Sequence, residues 1–137
     1  MFQALAEYCA AATPRNKTGV HREAWRLRDL LDAHPCENQA LDNLYQELKI
    51  SAAHAEKLFK AAFRITPVAY RLQFRLRKAR ELLVSSSMNV SQVAQAVGFS
   101  DPLYFSRLFR NAFGQAPSDL IRDFDNRRRR MPLPLAR

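Results

Sequence analysis

Three glycines in 137 residues are too few for the turns of a β-sandwich, and they form no Gly-rich loop that could cradle phosphate. The two cysteines, Cys9 and Cys36, make no CxxC pair and cannot staple a scaffold, so they read as reduced thiols of a cytoplasmic protein. No run approaches the roughly eighteen apolar residues of a membrane span, and MFQALAEYCAAA lacks the basic start of a secretory signal. Neither secretion nor a membrane partner is expected. His21, His34 and His54 are scattered without paired-ligand spacing, and His34 with Cys36 leaves a zinc site short of ligands. No metal site and no cofactor are therefore expected. A catalyst needs polar groups that converge, and no such set stands out; Ser85-Ser86-Ser87 reads as a connection, not a nucleophile. The chain is not read as an enzyme.

Acidic residues are missing from one stretch in particular. Between Lys57 and Arg80 there are eight basic residues and no Asp or Glu. The whole chain carries +9, with net zero over residues 1–40 and the excess spread over 41–137. A solvated helix face usually mixes signs so that i,i+4 pairs can form. A one-sign stretch repels itself and calls for an external counter-charge, of which phosphate is the obvious one. Hydrophobic residues make up 47% of the chain, enough for a core.

Displaced by fifty residues, the chain overlays itself. Leu58-Phe59-Lys60-Ala61-Ala62-Phe63-Arg64-Ile65-Thr66-Pro67 matches Leu108-Phe109-Arg110-Asn111-Ala112-Phe113-Gly114-Gln115-Ala116-Pro117 at Leu, both Phe, Ala and Pro. Two copies cannot make a solenoid, so they read as a tandem pair of small helical modules. In the second copy, Asn89-Val90-Ser91-Gln92 has the form of a capping box, and Val90, Val93, Ala94 and Val97 follow helical spacing. Gly98 supplies a positive φ to end that helix. Asp101-Pro102 starts the next, with Phe105, Leu108, Phe109 and Ala112 inward and Gly114 as the stop. Helix, short turn, helix is the helix-turn-helix plan. The first copy has Leu41, Leu44, Tyr45 and Leu48, a turn at Lys49-Ile50, and a second helix capped by Ser51 with Ala55, Leu58, Phe59 and Ala62 inward. It is less regular, since a positive φ at Lys49 would cost on the order of 1 kcal/mol.

Pro67 to Ser85 reads as one long helix with an apolar face of Ala69, Leu72, Leu76, Ala79 and Leu83 and a separate basic stripe of Arg71, Arg75 and Lys78. Its length of about 27 Å falls short of the roughly 34 Å between successive major grooves on one side of B-DNA. It could set two reading helices on one DNA face if the DNA bends or one helix enters imperfectly. Val20 to Ala33 is a further helix with Ala24, Leu27, Leu30 and Leu31 inward and Trp25 packed. Phe2 to Ala12 looks helical, and Thr13 to Gly19 reads as a linker. Asp119 to Asp125 is a last helical turn or two, with no fixed structure expected over residues 126–137.

The residues Val90-Ser91-Gln92-Val93-Ala94-Gln95-Ala96-Val97-Gly98-Phe99-Ser100-Asp101, Tyr104 to Arg110, Phe113-Gly114 and Pro117 resemble the signature of the AraC/XylS family of bacterial transcription regulators. Ala69 to Leu76 with Ala79-Arg80 and Leu82-Leu83 is similar to that family's linker helix. The resemblance spans about residues 20–124. It implies an all-α, homeodomain-like fold of about seven helices, with modules at about 38–66 and 88–116 joined by the linker helix 67–85 inside a DNA-binding domain of residues 20–125. It further implies a regulator, usually an activator, with double-stranded DNA and RNA polymerase as partners. Residues 1–12 look like the tail of a sensing domain, and a small-molecule effector enters only through such a domain. Tyr45, Lys49 and Arg64 stand where relatives usually have Ala, Gly and Gly, and Ala55 replaces a larger apolar residue. These departures bear on fine discrimination by the first module and not on the fold.

Phosphate contacts are expected from Lys60, Arg71, Arg75, Lys78 and Arg110, and from backbone N–H groups at the helix starts near Ser51 and Ser91. Base reading is expected early on each second helix, from Ala52, Ala53, Glu56 and Lys57 in the first module and Pro102, Leu103, Tyr104 and Arg107 in the second. Lys57 and Arg107 can donate to guanine, Glu56 can accept from cytosine N4, and Ala53 or Leu103 can meet a thymine methyl. Glu56 needs a partner to face phosphates, and Lys60 at i+4 is the nearest in sequence. The competing reading is a basic helical module that binds protein or RNA without specific duplex readout.

Overall fold

A computed structural model describes residues 19–37 and 39–131. The helix expected over Phe2 to Ala12 lies outside the described residues. Those residues contain seven helices and no strand: α1 Gly19–Ala33, α2 Leu41–Glu47, α3 Ala52–Phe63, α4 Pro67–Ser85, α5 Val90–Ala96, α6 Pro102–Phe113 and α7 Pro117–Arg130. The chain divides into two compact units, Met1–Arg75 and Leu76–Arg137, so that α4 supplies residues to both.

In the first unit Ala24, Leu27 and Leu31 of α1, Leu44 and Tyr45 of α2, and Ala55, Leu58, Phe59 and Phe63 of α3 form one buried cluster with Tyr70 of α4. Aromatic contacts knit it. Phe59 lies 4.7 Å from Phe63 and 5.3 Å from Tyr70, and Trp25 meets Phe63 edge-on at 5.2 Å. Such pairs contribute about 0.5–1.5 kcal/mol each beyond the area they bury. The Tyr70 hydroxyl donates to Asp32 Oδ1 at 2.7 Å, tying α4 to α1. In the second unit Val93, Ala94, Val97, Phe105 and Phe109 are fully buried, as is Ala79 of α4. A ladder of rings runs Phe99, Phe105, Phe109, Phe113, with centroids 4.6–5.7 Å apart.

The helix starts follow local chemistry. Asn89 accepts from Gln92 N–H while Gln92 Oε1 accepts from Asn89 N–H, both at 2.9 Å, completing the capping box of α5. Asp101 accepts from Leu103 N–H at 3.0 Å ahead of Pro102, and Ser51 accepts from His54 N–H at 3.2 Å. Each cap of this kind contributes about 1 kcal/mol.

The two turns share one hydrogen-bond scheme. Ile50 N–H donates to Tyr45 O and Lys49 N–H to Gln46 O; Phe99 N–H donates to Ala94 O and Gly98 N–H to Gln95 O. This is the Schellman arrangement, whose penultimate residue must be left-handed. Lys49 (φ 57°) and Gly98 (φ 92°) both occupy that region. First helices thus register at forty-nine residues and second helices at fifty, because Ser100 is an extra residue between turn and cap. Arg64 (φ 60°) and Gly114 (φ 72°) end the second helices in the same region.

One boundary differs from expectation. Residues 126–130 are not irregular: α7 continues to Arg130. Arginine is a good helix former, and cations in the last turn complement the negative end of the helix dipole. Residues 132–137 lie outside the described part.

Replacing Lys49 or Arg64 by Gly removes a left-handed penalty of about 1–2 kcal/mol and adds unfolded-chain entropy of about 0.4–1 kcal/mol. Both variants should gain between about 0 and 1.6 kcal/mol in urea unfolding. Gly114→Ala should lose about 0–1.6 kcal/mol, the backbone strain less the unfolded-chain entropy it removes, since a Cβ there meets nothing within 4 Å. A loss in Arg64→Gly as large as in Gly114→Ala would refute this assignment of strain.

Candidate nucleic-acid interface

The buried residues of α3 recur on one side of the helix, which leaves the other side open. Ala52, Ala53, Glu56, Lys57 and Lys60 are all exposed there. In α6 the anchors are Phe105 and Phe109. The open side carries Arg107 and Arg110, with Leu103 74% and Tyr104 51% exposed. Pro102 is half-buried at the first helical position, and the Tyr104 ring leans edge-on to Phe99 at 6.4 Å. The expected reading residues therefore share one open face within each module. Asn111, exposed one turn beyond Arg107, completes the face of α6; its spacing at i+4 was the signal available in the sequence.

Two helices of opposed character result. The α3 face is small and mixed in sign, while the α6 face is bulky and carries only positive charge. Glu56 does not pair with Lys60 among the described residues. Its charge instead acts on Tyr45, whose phenol is held above its ordinary pKa by burial first, then by Glu56 and Asp42, against the opposing pull of Arg71. Tyr45 is accordingly a neutral core residue. His54, in the first turn of α3, is exposed with Nε2 3.5 Å from Glu23 Oε2 of α1.

Two of the expected phosphate contacts have other employment. Arg75 is only 9% exposed. Its Nε donates to Pro35 O at 2.8 Å and its Nη2 to Glu37 O at 2.6 Å. Arg71 is half-buried, with Nη1 donating to Gln39 O at 2.6 Å. Burial lowers the pKa of both guanidiniums, with Arg71 adding to the effect on Arg75. They remain charged at neutral pH because so high a pKa has far to fall. These arginines fasten the loop between α1 and α2 to α4, and Arg75 is withdrawn from phosphate. A loop has carbonyls that no helix satisfies, and a buried cation needs acceptors; each supplies the other. Lys78 is exposed but lies 3.4 Å from Glu81 Oε2. Ser51 spends its hydroxyl on the cap. Ser91, in the first turn of α5, is exposed, while the cap itself is Asn89. Lys60 and Arg110 are exposed in the last turns of α3 and α6.

Among the described residues no three His, Cys, Asp or Glu side chains gather as a metal ion would need, and no helix is long and apolar enough to cross a membrane.

A family model described as a helix-turn-helix domain matches residues 44–123, more than half of the chain. The chain belongs to the AraC/XylS-type helix-turn-helix family. That family is one of DNA-binding transcription regulators and not of enzymes. The HTH-type transcriptional regulator AlkR of Acinetobacter baylyi is 33% identical over 98 residues, covering 72% of this chain and 32% of that protein. A transcriptional regulator from Chromobacterium violaceum with an AraC-type DNA-binding domain is 29% identical, with a TM-score of 0.68 over 77% of this chain and 95% of that one. The DNA-binding domain of AdpA, solved in complex with a target DNA, shares the fold with a TM-score of 0.72 at 21% identity, over 80% of this chain and 98% of that one. The chain spans about a third or less of the length of the curated relatives first matched.

Arg75→Ala should lower stability by about 1.5–3 kcal/mol, because two part-buried hydrogen bonds from a charged donor are lost. Arg75→Lys should recover only part of that, since one ammonium cannot reproduce the planar fork. Denaturant unfolding gives both values; an Arg75→Ala protein as stable as the parent would remove the fastening role.

Proposed function

We propose that this chain is the DNA-binding part of a sequence-specific transcription regulator, an activator in which each module lays its second helix in a major groove of one duplex. The two grooves are adjacent, and RNA polymerase is the protein partner. One observation carries the reading most directly: in both modules the second helix buries its aromatic side and presents its opposite side, with basic residues, to solvent. A helix so presented matches the width of a major groove, about 12 Å.

Lys60 and Arg110 hold phosphates and set the register, with Arg71 and Lys78 contributing less because each already has a protein partner. Backbone N–H groups near Ser51 and Ser91 add to these. Lys57 and Arg107 donate to guanine, Glu56 accepts from cytosine N4, and Ala52, Ala53, Pro102, Leu103 and Tyr104 shape the contact with thymine methyls and base edges. A cytoplasmic setting belongs to the same proposal, and a small-molecule effector enters it only with a sensing domain outside this chain. The competing reading, a basic module for protein or RNA, has no use for two open helices of the same plan.

Selection of bound sites from a random duplex pool, followed by titrations at several salt concentrations, tests the proposal. Arg107→Ala should cost about 1–3 kcal/mol at one base pair and relax the preference there. Lys60→Ala should weaken all sequences alike and flatten the salt slope by about 0.9. Equal binding to single-stranded RNA and to every duplex would refute it.

A further inference from the structure

In the second unit the half of α4 after Leu76 and the helix α7 border two neighbouring cavities of about 480 and 410 Å3 that share Val84 and Phe124. The larger cavity is mainly apolar, from the partly buried Val84, Leu120 and Phe124, whereas the smaller, lined also by Ser85, Ser86 and Ser87, is mainly polar. Arg77, Arg80 and Arg127 stand around the larger cavity against the carboxylate of Glu81, and Arg128 stands with Asp125 at the smaller. Glu81 is already engaged by Lys78 at 3.4 Å, which leaves the rim of the larger cavity cationic. Two of the arginines lie along aromatic rings, Arg80 at 5.2 Å from Phe113 and Arg128 at 5.9 Å from Phe124.

The apolar floor and cationic walls of the larger cavity are complementary to one kind of object: an amphipathic helix with acidic flanks, whose apolar face meets the floor while its carboxylates meet the arginines. Phosphate backbone would use the walls and leave the floor wet, so the exposed floor decides between the two. We infer that this trough docks an acidic amphipathic helix of a protein partner. None of the residues invoked belongs to the proposed reading faces, so the inference stands whether or not a specific duplex site is found.

The test uses the full chain and a fluorescein-labelled acidic peptide of about four helical turns with Leu at i, i+3, i+4 and i+7. A scrambled peptide of equal composition and a single-stranded oligonucleotide serve as comparisons. The amphipathic peptide should bind at least about tenfold more tightly than its scramble. Added duplex DNA should leave it bound. Val84→Lys adds positive charge while spoiling the floor, and should weaken the peptide about tenfold or more. Arg80→Gln with Arg127→Gln should also weaken it, and more so at low salt; both sites are exposed, so this variant guards against misfolding in the first. Equal affinity for peptide and scramble, tighter binding in Val84→Lys, preference for the oligonucleotide, or displacement of the peptide by duplex would each overturn the inference.

Discussion

Everything outward-facing in this protein depends on which way two helices are rolled, and aromatic burial sets the roll. A helix turned by one residue rotates its faces by about 100°. Phe59 and Phe63 in α3, and Phe105 and Phe109 in α6, each sit one turn apart and are packed against further rings. Rolling either helix by one residue one way would bring Lys60 and Arg64, or Arg110, into those ring ladders at a desolvation cost. Rolling it the other way would replace the stacked phenylalanines by Leu58 and Ala62, or by Tyr104 and Leu108, and lose the ring contacts. The position of Arg107 or Lys57 on the open side is therefore a consequence of the ring packing behind it. Caps add to this by fixing where each helix begins, so that rotation and axial register are both determined locally.

Charge in the same chain answers to different constraints at different points. The basic run from Lys57 to Arg80 looks homogeneous as a string, yet its members part company on folding. Lys57 and Lys60 stay in solvent, and Arg75 is buried against carbonyls of the α1–α2 loop with Arg71 one turn away on the same side. Lys78 meets Glu81, and Arg80 lies along the Phe113 ring. The loop at residues 34–40 contains carbonyls without helical N–H partners, and two arginines four apart on α4 reach them in sequence. A cation count over such a stretch overstates what is available to an external polyanion, because part of the charge is consumed in closing the fold.

What could be read in advance divides along the same line. Caps, stops and the inward stripes are local: Asn89 with Gln92, Asp101 with Pro102, and Ser51 each declare a helix start within three residues, and all three are observed. The left-handed Lys49 and Arg64 run against residue preference and become visible only through their repeat partners Gly98 and Gly114. Arg75 could not be read correctly, because its acceptors lie thirty-eight and forty residues away in sequence. The extension of α7 was missed because residues 126–130 have no apolar periodicity, while their helicity rests on arginine propensity and the helix dipole. The α4–α7 trough was invisible for the opposite reason: Val84, Leu120 and Phe124 look like ordinary core positions until packing leaves them partly open.

The two modules share a plan but not a chemistry. The first tolerates two side chains in the left-handed region and offers Ala52, Ala53, Glu56 and Lys57 on its open helix. Short side chains let a helix backbone approach a groove floor closely, and a carboxylate among them is repelled by phosphate unless it meets a cytosine amino group. The second has glycine at both left-handed positions and reaches further, with Leu103, Tyr104 and Arg107. Under the proposed duplex binding, the first module discriminates by closeness of fit and by rejection at Glu56, whereas the second gains affinity through arginine donors and apolar contact. Unequal division of labour between repeated modules thus follows from side-chain size and charge alone, with no difference in backbone plan beyond the single residue Ser100.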